Sequence, residues 1–183
     1  MTRARLPRPF AVLLVPLALV LAVACGGGRA SPTETLASLR SALVVQDGRR
    51  VYELHDAEAR SFYRQRARTF RARLAAGEPP EEVLQGEPAH AAAYTSGTEE
   101  DAVAALALHD SVVASLTEWL RSAQVIDEQP LPDDGRGPRA LLRLRGADGV
   151  VRELRFVKEA QGWSLDQFGM HRAGAATGGR SGR

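Results

Sequence analysis

The sequence predicts an α+β domain in which N-terminal helices pack on a C-terminal curved antiparallel sheet of three to four strands. Before residue 124, apolar residues recur with the period of an amphipathic helix, behind recognisable capping residues. After it, apolar and charged residues alternate, as in strands with one solvated face. The dipeptide Asp148-Gly149 marks a tight hairpin between two such segments. Helices first and strands last is the order of an α+β layer architecture.

Two helices are predicted at the start of the domain. Ser31 caps the first helix and Glu34 completes a capping box. Its apolar face is formed by Leu36, Leu39 and Leu43. Asp47-Gly48 ends this helix, and a short second helix is expected over residues 49–54.

A third helix is predicted from the cap Asp56 through Ala76, where Gly77 ends it. Its apolar stripe consists of Ala59, Tyr63, Ala67, Phe70 and Leu74. A second stripe beside it consists of Arg60, Arg64, Arg68 and Arg71. These arginines either face anionic lipid headgroups or form an ordinary solvated helix face.

The segment between residues 78 and 97 is poor in apolar side chains, and we expect a helical turn over 81–85. Thr98 and Asp101 form another capping box, which begins a long helix to about Ser122. The apolar face of this helix contains Ala102, Ala105, Leu106, Val113, Leu116 and Leu120.

Four strand segments follow, over residues 124–128, 140–145, 150–158 and 163–168. Alternation directs one set of side chains toward the helices: Leu142, Leu144, Leu154, Phe156 and Trp163. The Gly-rich tail 169–183 is predicted to be disordered.

The N-terminus carries Arg3, Arg5 and Arg8, then an apolar run over 10–23 and the series Leu21-Ala22-Val23-Ala24-Cys25. This series resembles the lipobox of bacterial lipoproteins, although Ala22 stands where Leu or Val is preferred. The resemblance implies that residues 1–24 are a lipoprotein signal peptide, that Cys25 is acylated, and that 25–30 tether a domain spanning 31–168. The alternative is an ordinary secretory signal with an incidental cysteine.

The residue after the cysteine is Gly26, which in two-membrane bacteria implies sorting of a lipoprotein to the outer membrane. Removal of the signal takes three arginines from 24 basic residues and leaves 21 against 22 acids, so the mature net charge is about −1. Nucleic-acid binding therefore has no support from charge. The lone cysteine excludes a disulfide within the chain.

A second resemblance concerns the domain itself. It rests on Ser31-Pro32-Thr33-Glu34, on Asp47 between two helices, and on Phe156-Val157-Lys158-Glu159 followed by Gly162-Trp163-Ser164-Leu165-Asp166. Together these are similar to small bacterial lipoproteins of the nuclear-transport-factor-2-like superfamily. The resemblance implies a cone of helices packed into a bent sheet around a cavity.

His109 is the candidate pocket residue, because it falls on the apolar face of the long helix and is expected to be buried. It could bind a ligand or act as a base, or it could be an ordinary core histidine. Enzymes of the superfamily pair a cavity carboxylate with a second polar group. Asp110 points away from His109 on a helix and Asp166 is expected to face outward, so no catalytic pair emerges. No metal-ligand spacing and no phosphate loop is present, and no cofactor is expected.

The sequence thus predicts an exported, lipid-anchored cell-envelope protein that binds rather than transforms its partner. The partner is either an envelope protein or a small ligand. One alternative is a cavity enzyme of isomerase, dehydratase or hydrolase type that uses His109. Another is a structural spacer.

Overall fold

The computed structural model describes residues 29–84, 90–109 and 111–168. The helices are α1 (Pro32–Val44), α2 (Gly48–Glu53), α3 (Ala57–Ala75), α4 (Pro80–Val83), α5 (Ala91–Thr95), α6 (Glu99–His109) and α7 (Ser111–Ser122). The strands are β1 (Gln124–Leu131), β2 (Arg139–Arg145), β3 (Val151–Glu159) and β4 (Gly162–Leu165). Helices followed by a four-stranded antiparallel sheet confirm the predicted α+β class.

The N-caps predicted at Ser31, Asp56 and Thr98 form, because each is a short-range interaction between a side chain and the first turn of its own helix. Asp47, which was predicted only to end the first helix, caps α2 in the same way. The backbone amides and their acceptors are Glu34 with Ser31 (3.1 Å), Arg50 with Asp47 (2.9 Å), Ala59 with Asp56 (2.9 Å) and Asp101 with Thr98 (3.1 Å). The predicted long helix is described in two parts, α6 and α7, on either side of residue 110.

The four strands form a meander in the order β1-β2-β3-β4. Gly149 has a φ of 77° in the β2–β3 hairpin, a conformation that glycine adopts without strain. The last strand is shorter than predicted, because β4 ends at Leu165 and the chain turns helical at residues 167–168. The prediction for this strand was therefore wrong over its last three residues.

The core lies between the sheet and the helices. Leu142, Leu144, Leu154 and Phe156 are buried there, as predicted, against Tyr63 and the leucines of α1. Trp163 contacts this core but is only partly buried, so its removal should cost less than the loss of a fully buried ring.

The opposite side of the sheet is called the outer face below. It consists of Arg139, Leu141, Arg143 and Arg145 of β2 and of Val151, Glu153, Arg155 and Val157 of β3. Leu141 and Val157 are buried, so this face is less solvated than predicted. On the same face, the Arg139 guanidinium folds back onto the loop before β2, where it donates to the Pro132 carbonyl at 2.7 Å.

The free edge of β4 is covered by two other parts of the chain. The Trp163 amide donates to the Arg29 carbonyl at 2.9 Å, and Gly162 allows this approach because a Cβ there would lie 2.6 Å from the same oxygen. Residues 54–56 continue the cover, since the Leu165 amide donates to the Leu54 carbonyl and the Leu165 carbonyl accepts from Asp56. Covering in this way removes an edge that could otherwise pair with another chain.

Candidate functional site

Of the two residues that the sequence singled out, the structure describes only His109. Cys25 is outside the described residues, four positions before Arg29. His109 is half-buried rather than buried as predicted, and its ring stacks on His90, with centroids 3.4 Å apart and planes 22° apart. Nothing in the spacing of these two histidines could have predicted this stack, since it depends on how α5 approaches α6.

A cleft of about 400 Å³ opens between α2, α3 and α6, and we call it the interhelical cleft. Its polar lining consists of Arg49, Tyr52, Glu53, Arg64, Glu99 and Glu100. Two arginines and three glutamates allow it to bind groups of either charge around a tyrosine ring. His109 does not line this cleft, nor a second one of about 470 Å³ between α3 and α5.

The interhelical cleft owes its shape to a close crossing of two helices. A Cβ placed on Gly48 would lie 2.2 Å from the Ala104 carbonyl oxygen, so only glycine lets α2 approach α6 this closely. This crossing fixes the position of Arg49 and Tyr52, which follow Gly48 on α2. The sequence pattern predicted Gly48 only as part of the end of the first helix.

The arginine stripe of α3 is engaged mainly with the protein itself. Arg60 donates to the His55 carbonyl at 2.7 Å and to Glu159 at 2.9 Å. Arg68 pairs with Glu99 at 2.8 Å, and Arg71 donates to the Gly97 and Thr98 carbonyls at 2.7 and 3.0 Å; the fourth arginine, Arg64, lines the cleft. Three of the four thus fasten α3 to neighbouring segments.

A buried cluster of charges lies where the β1–β2 loop meets β4, and we call it the acid–arginine cluster. Asp56 is 2% exposed and Asp166 is 0% exposed, which contradicts the outward orientation expected for Asp166. Arg136 reaches both carboxylates, at 2.9 Å from Asp166 and 3.6 Å from Asp56. It also contacts Asp134 and Glu58, at 3.1 and 3.5 Å.

The cluster perturbs the ionisation of Asp56. Burial, assisted by the negative charges of Asp166 and Glu159, raises the pKa of Asp56 to about 6. The Ala59 amide and Arg136 act in the opposite direction but do not overcome the burial. The pKa of Arg136 is raised, chiefly by its hydrogen bond to Asp134, so its guanidinium stays charged.

Polar side chains beside the acid–arginine cluster contact other groups of the protein. The His55 Nδ1 lies 2.8 Å from the Val51 carbonyl oxygen, and its ring meets the Tyr63 ring edge-on at 5.2 Å. The Tyr63 hydroxyl donates to Gln167 Oε1 at 2.6 Å. Neither Asp56 nor Asp166 lines either cleft, so the acid–arginine cluster works as a buried cross-link between the β1–β2 loop, α3 and β4.

Among the described residues, no group of three or more His, Cys, Asp or Glu side chains is arranged to hold a metal ion. Among the same residues, the helices are too short or too polar to span a membrane.

Neither a protein-family model, nor a curated protein, nor a solved structure matches the chain.

Proposed function

We propose that this protein is a lipid-anchored module of the cell envelope that acts by binding at its surface. The observation that carries the proposal is the N-terminal series of three arginines, an apolar run and small residues that ends at Cys25. Two or more acyl chains on such a cysteine make membrane attachment stable, since each buried methylene contributes about 0.8 kcal/mol.

The packing of the domain favours binding over catalysis. Side chains such as Tyr63 and Phe156, both fully buried, pack between the helices and the sheet. The buried carboxylates of Asp56 and Asp166 contact Arg136 and do not line either cleft, which leaves them poorly placed to serve as an acid–base pair. The enzyme alternative would depend on His109. One face of its ring is already occupied by the ring of His90.

A small-ligand role would use the interhelical cleft. Its volume lies within the range of ligand sites, and Tyr52 lies between arginines and glutamates that could hold a molecule carrying both charges. The nuclear-transport-factor-2-like relationship would instead place a ligand between helices and sheet, where these side chains already pack.

The anchor is tested by replacing Cys25 with Ala. We expect the wild-type chain to fractionate with membranes and to carry a mass increase of acyl chains on residue 25. The Cys25→Ala chain should be released or remain unprocessed, whereas the matched control Gly27→Ala, which keeps the thiol, should behave as wild type. A mature chain with a free Cys25 thiol, or cleavage at another bond, would overturn the proposal.

A further inference from the structure

The chain enters the domain at the margin of the outer face. The Arg29 guanidinium donates through Nε to the Trp163 carbonyl at 2.8 Å and through Nη2 to Ser164 Oγ. Ser164 points to the same side of the sheet as its neighbour Val157, because it alternates with Leu165, which faces the core. The direction of entry is thus fixed by both the backbone and the side chain of Arg29.

Covalent geometry limits the distance between this entry and an anchor. Four residue steps separate Cys25 from Arg29. Even fully extended, four residues span at most about 14 Å. A lipid on Cys25 therefore keeps the Ser164 margin of the outer face close to the bilayer surface.

The arginines of the outer face lie beside two acids, Glu153 of β3 and Asp127 of β1, both of which are neighbours of Arg143 across the sheet. Among the described residues Arg145 and Arg155 make no ion pair, and Arg143 has only a long contact to Glu153 at 3.7 Å. The acid at the margin, Glu159, is already paired with Arg60.

Other acidic side chains lie on the helical side of the domain. Glu53, Glu99 and Glu100 line the interhelical cleft. The cleft is built on α6, which packs chiefly on the helices α2 and α3. The domain is therefore charged unevenly, with the free cations Arg145 and Arg155 on the outer face and three glutamates around the interhelical cleft.

We propose that the outer face lies against an anionic lipid bilayer, with Arg143, Arg145 and Arg155 contacting lipid phosphate groups. The inference rests on the lipid anchor proposed above. Arginine is suited to such contacts because its planar guanidinium binds phosphate oxygens in pairs. In this orientation the interhelical cleft faces away from the membrane and stays open to a partner.

Site-specific quenching tests the orientation with the acylated full chain. A fluorophore is placed on Val151→Cys of the outer face or on Thr95→Cys of α5, since lipidation leaves no other thiol in the chain. The chains are reconstituted in vesicles of phosphatidylglycerol and phosphatidylcholine that carry headgroup nitroxides. We expect strong quenching at residue 151 and weak quenching at residue 95, with the difference reduced by salt or in phosphatidylcholine alone.

Charge reversal provides the decisive comparison. Arg145→Glu with Arg155→Glu should abolish the difference in quenching, whereas the matched Arg145→Lys with Arg155→Lys should retain most of it; circular dichroism checks that both fold. Equal quenching at the two sites in a chain that floats with vesicles would overturn the docking alone, and so would a difference that survives charge reversal. A chain that stays soluble with a free Cys25 thiol would overturn the anchor and, with it, the docking.

Discussion

At the scale of single residues, Asp56 has two roles that conflict. Its carboxylate caps α3 through the Ala59 amide, which favours the charged form, but burial beside Asp166 disfavours that form more strongly. Arg136 compensates only in part, because it is shared among four carboxylates. The net effect is an aspartate that the folded protein prefers to protonate near pH 6.

Replacement of Asp56 by Asn should therefore stabilise the protein at pH 7.5, since Asn remains a good cap and carries no charge. The folded pKa of about 6 lies above the ordinary 3.8, so the folded state binds the proton more tightly and wild-type stability falls as pH rises from about 4 to 6. At about 1.4 kcal/mol for each pH unit between the two pKa values, the gain is ~2–3 kcal/mol above pH 6 and vanishes below pH 4.

Urea unfolding of both chains between pH 4 and 8 measures this difference. Asp47→Asn makes the same chemical change at the exposed cap of α2 and serves as the control for an amide cap as such. An Asp56→Asn chain that is less stable than wild type at pH 7.5 would show that the contact with Arg136 outweighs the burial of the charge.

The sequence predicted interactions between residues that are close along the chain. It missed contacts between residues that are far apart along the chain. Asp56 was correctly identified as a cap, because a cap requires only the first turn of its own helix. Its partners Arg136 and Asp166 are 80 and 110 positions further along the chain. The sequence around an arginine in a loop does not indicate which carboxylate it will contact. His90 lies in the segment 78–97, which is poor in apolar side chains, so its stacking on His109 could not be predicted either.

At the scale of elements, the crossing of α2 and α6 depends on Gly48. Alanine at this position would gain up to about 1 kcal/mol of helix propensity, but its Cβ would lie 2.2 Å from the Ala104 carbonyl oxygen. Backbone atoms can give way only if the two helices separate, and such overpacking typically costs about 1–3 kcal/mol. We expect the cost of this steric overlap to exceed the gain in helix propensity.

Gly48→Ala should thus lower the free energy of unfolding by up to about 2 kcal/mol, the steric cost less the gain in helix propensity. Thermal or urea unfolding at neutral pH measures it. Arg49→Ala, at the next and exposed position of the same helix, should change stability by no more than about 0.5 kcal/mol. A Gly48→Ala chain as stable as wild type would mean that α2 and α6 can move apart freely.

The sheet shows how far periodicity reaches. Alternation predicted Leu142, Leu144, Leu154 and Phe156 in the core correctly, because side-chain direction in a strand follows from position alone. It could not predict that Leu141, on the opposite side, would also be buried. Alternation predicts the side of the sheet to which a side chain points and says nothing about what covers that side.

At the scale of the whole molecule, the charge of the protein depends on whether its first 24 residues remain. The full chain has 24 basic residues, 22 acids and an isoelectric point near 9.1. Cleavage before Cys25 would remove Arg3, Arg5 and Arg8 and leave a net charge of about −1. The acid–base balance of the domain is thus nearly even, and the proposed membrane docking depends on the arrangement of charges rather than their sum.

Isoelectric focusing of the protein isolated from its own cells should therefore give a band on the acidic side of neutrality. The precursor, accumulated in cells whose signal-peptide processing is blocked, should focus near pH 9 and serves as the control. A single alkaline band in untreated cells would show that the N-terminal arginines are retained.

The pairing of Arg29 with Trp163 has a mechanical consequence. Any pull on the chain before residue 29 is transmitted first to the backbone bond from the Trp163 amide and to the two side-chain bonds of Arg29. Under tension these few bonds can detach before the strands of the sheet separate. Their loss would lengthen the tether while the helices and the four-stranded sheet stay folded. Residues 29–31 would then detach first and protect the domain from unfolding under a pulling force.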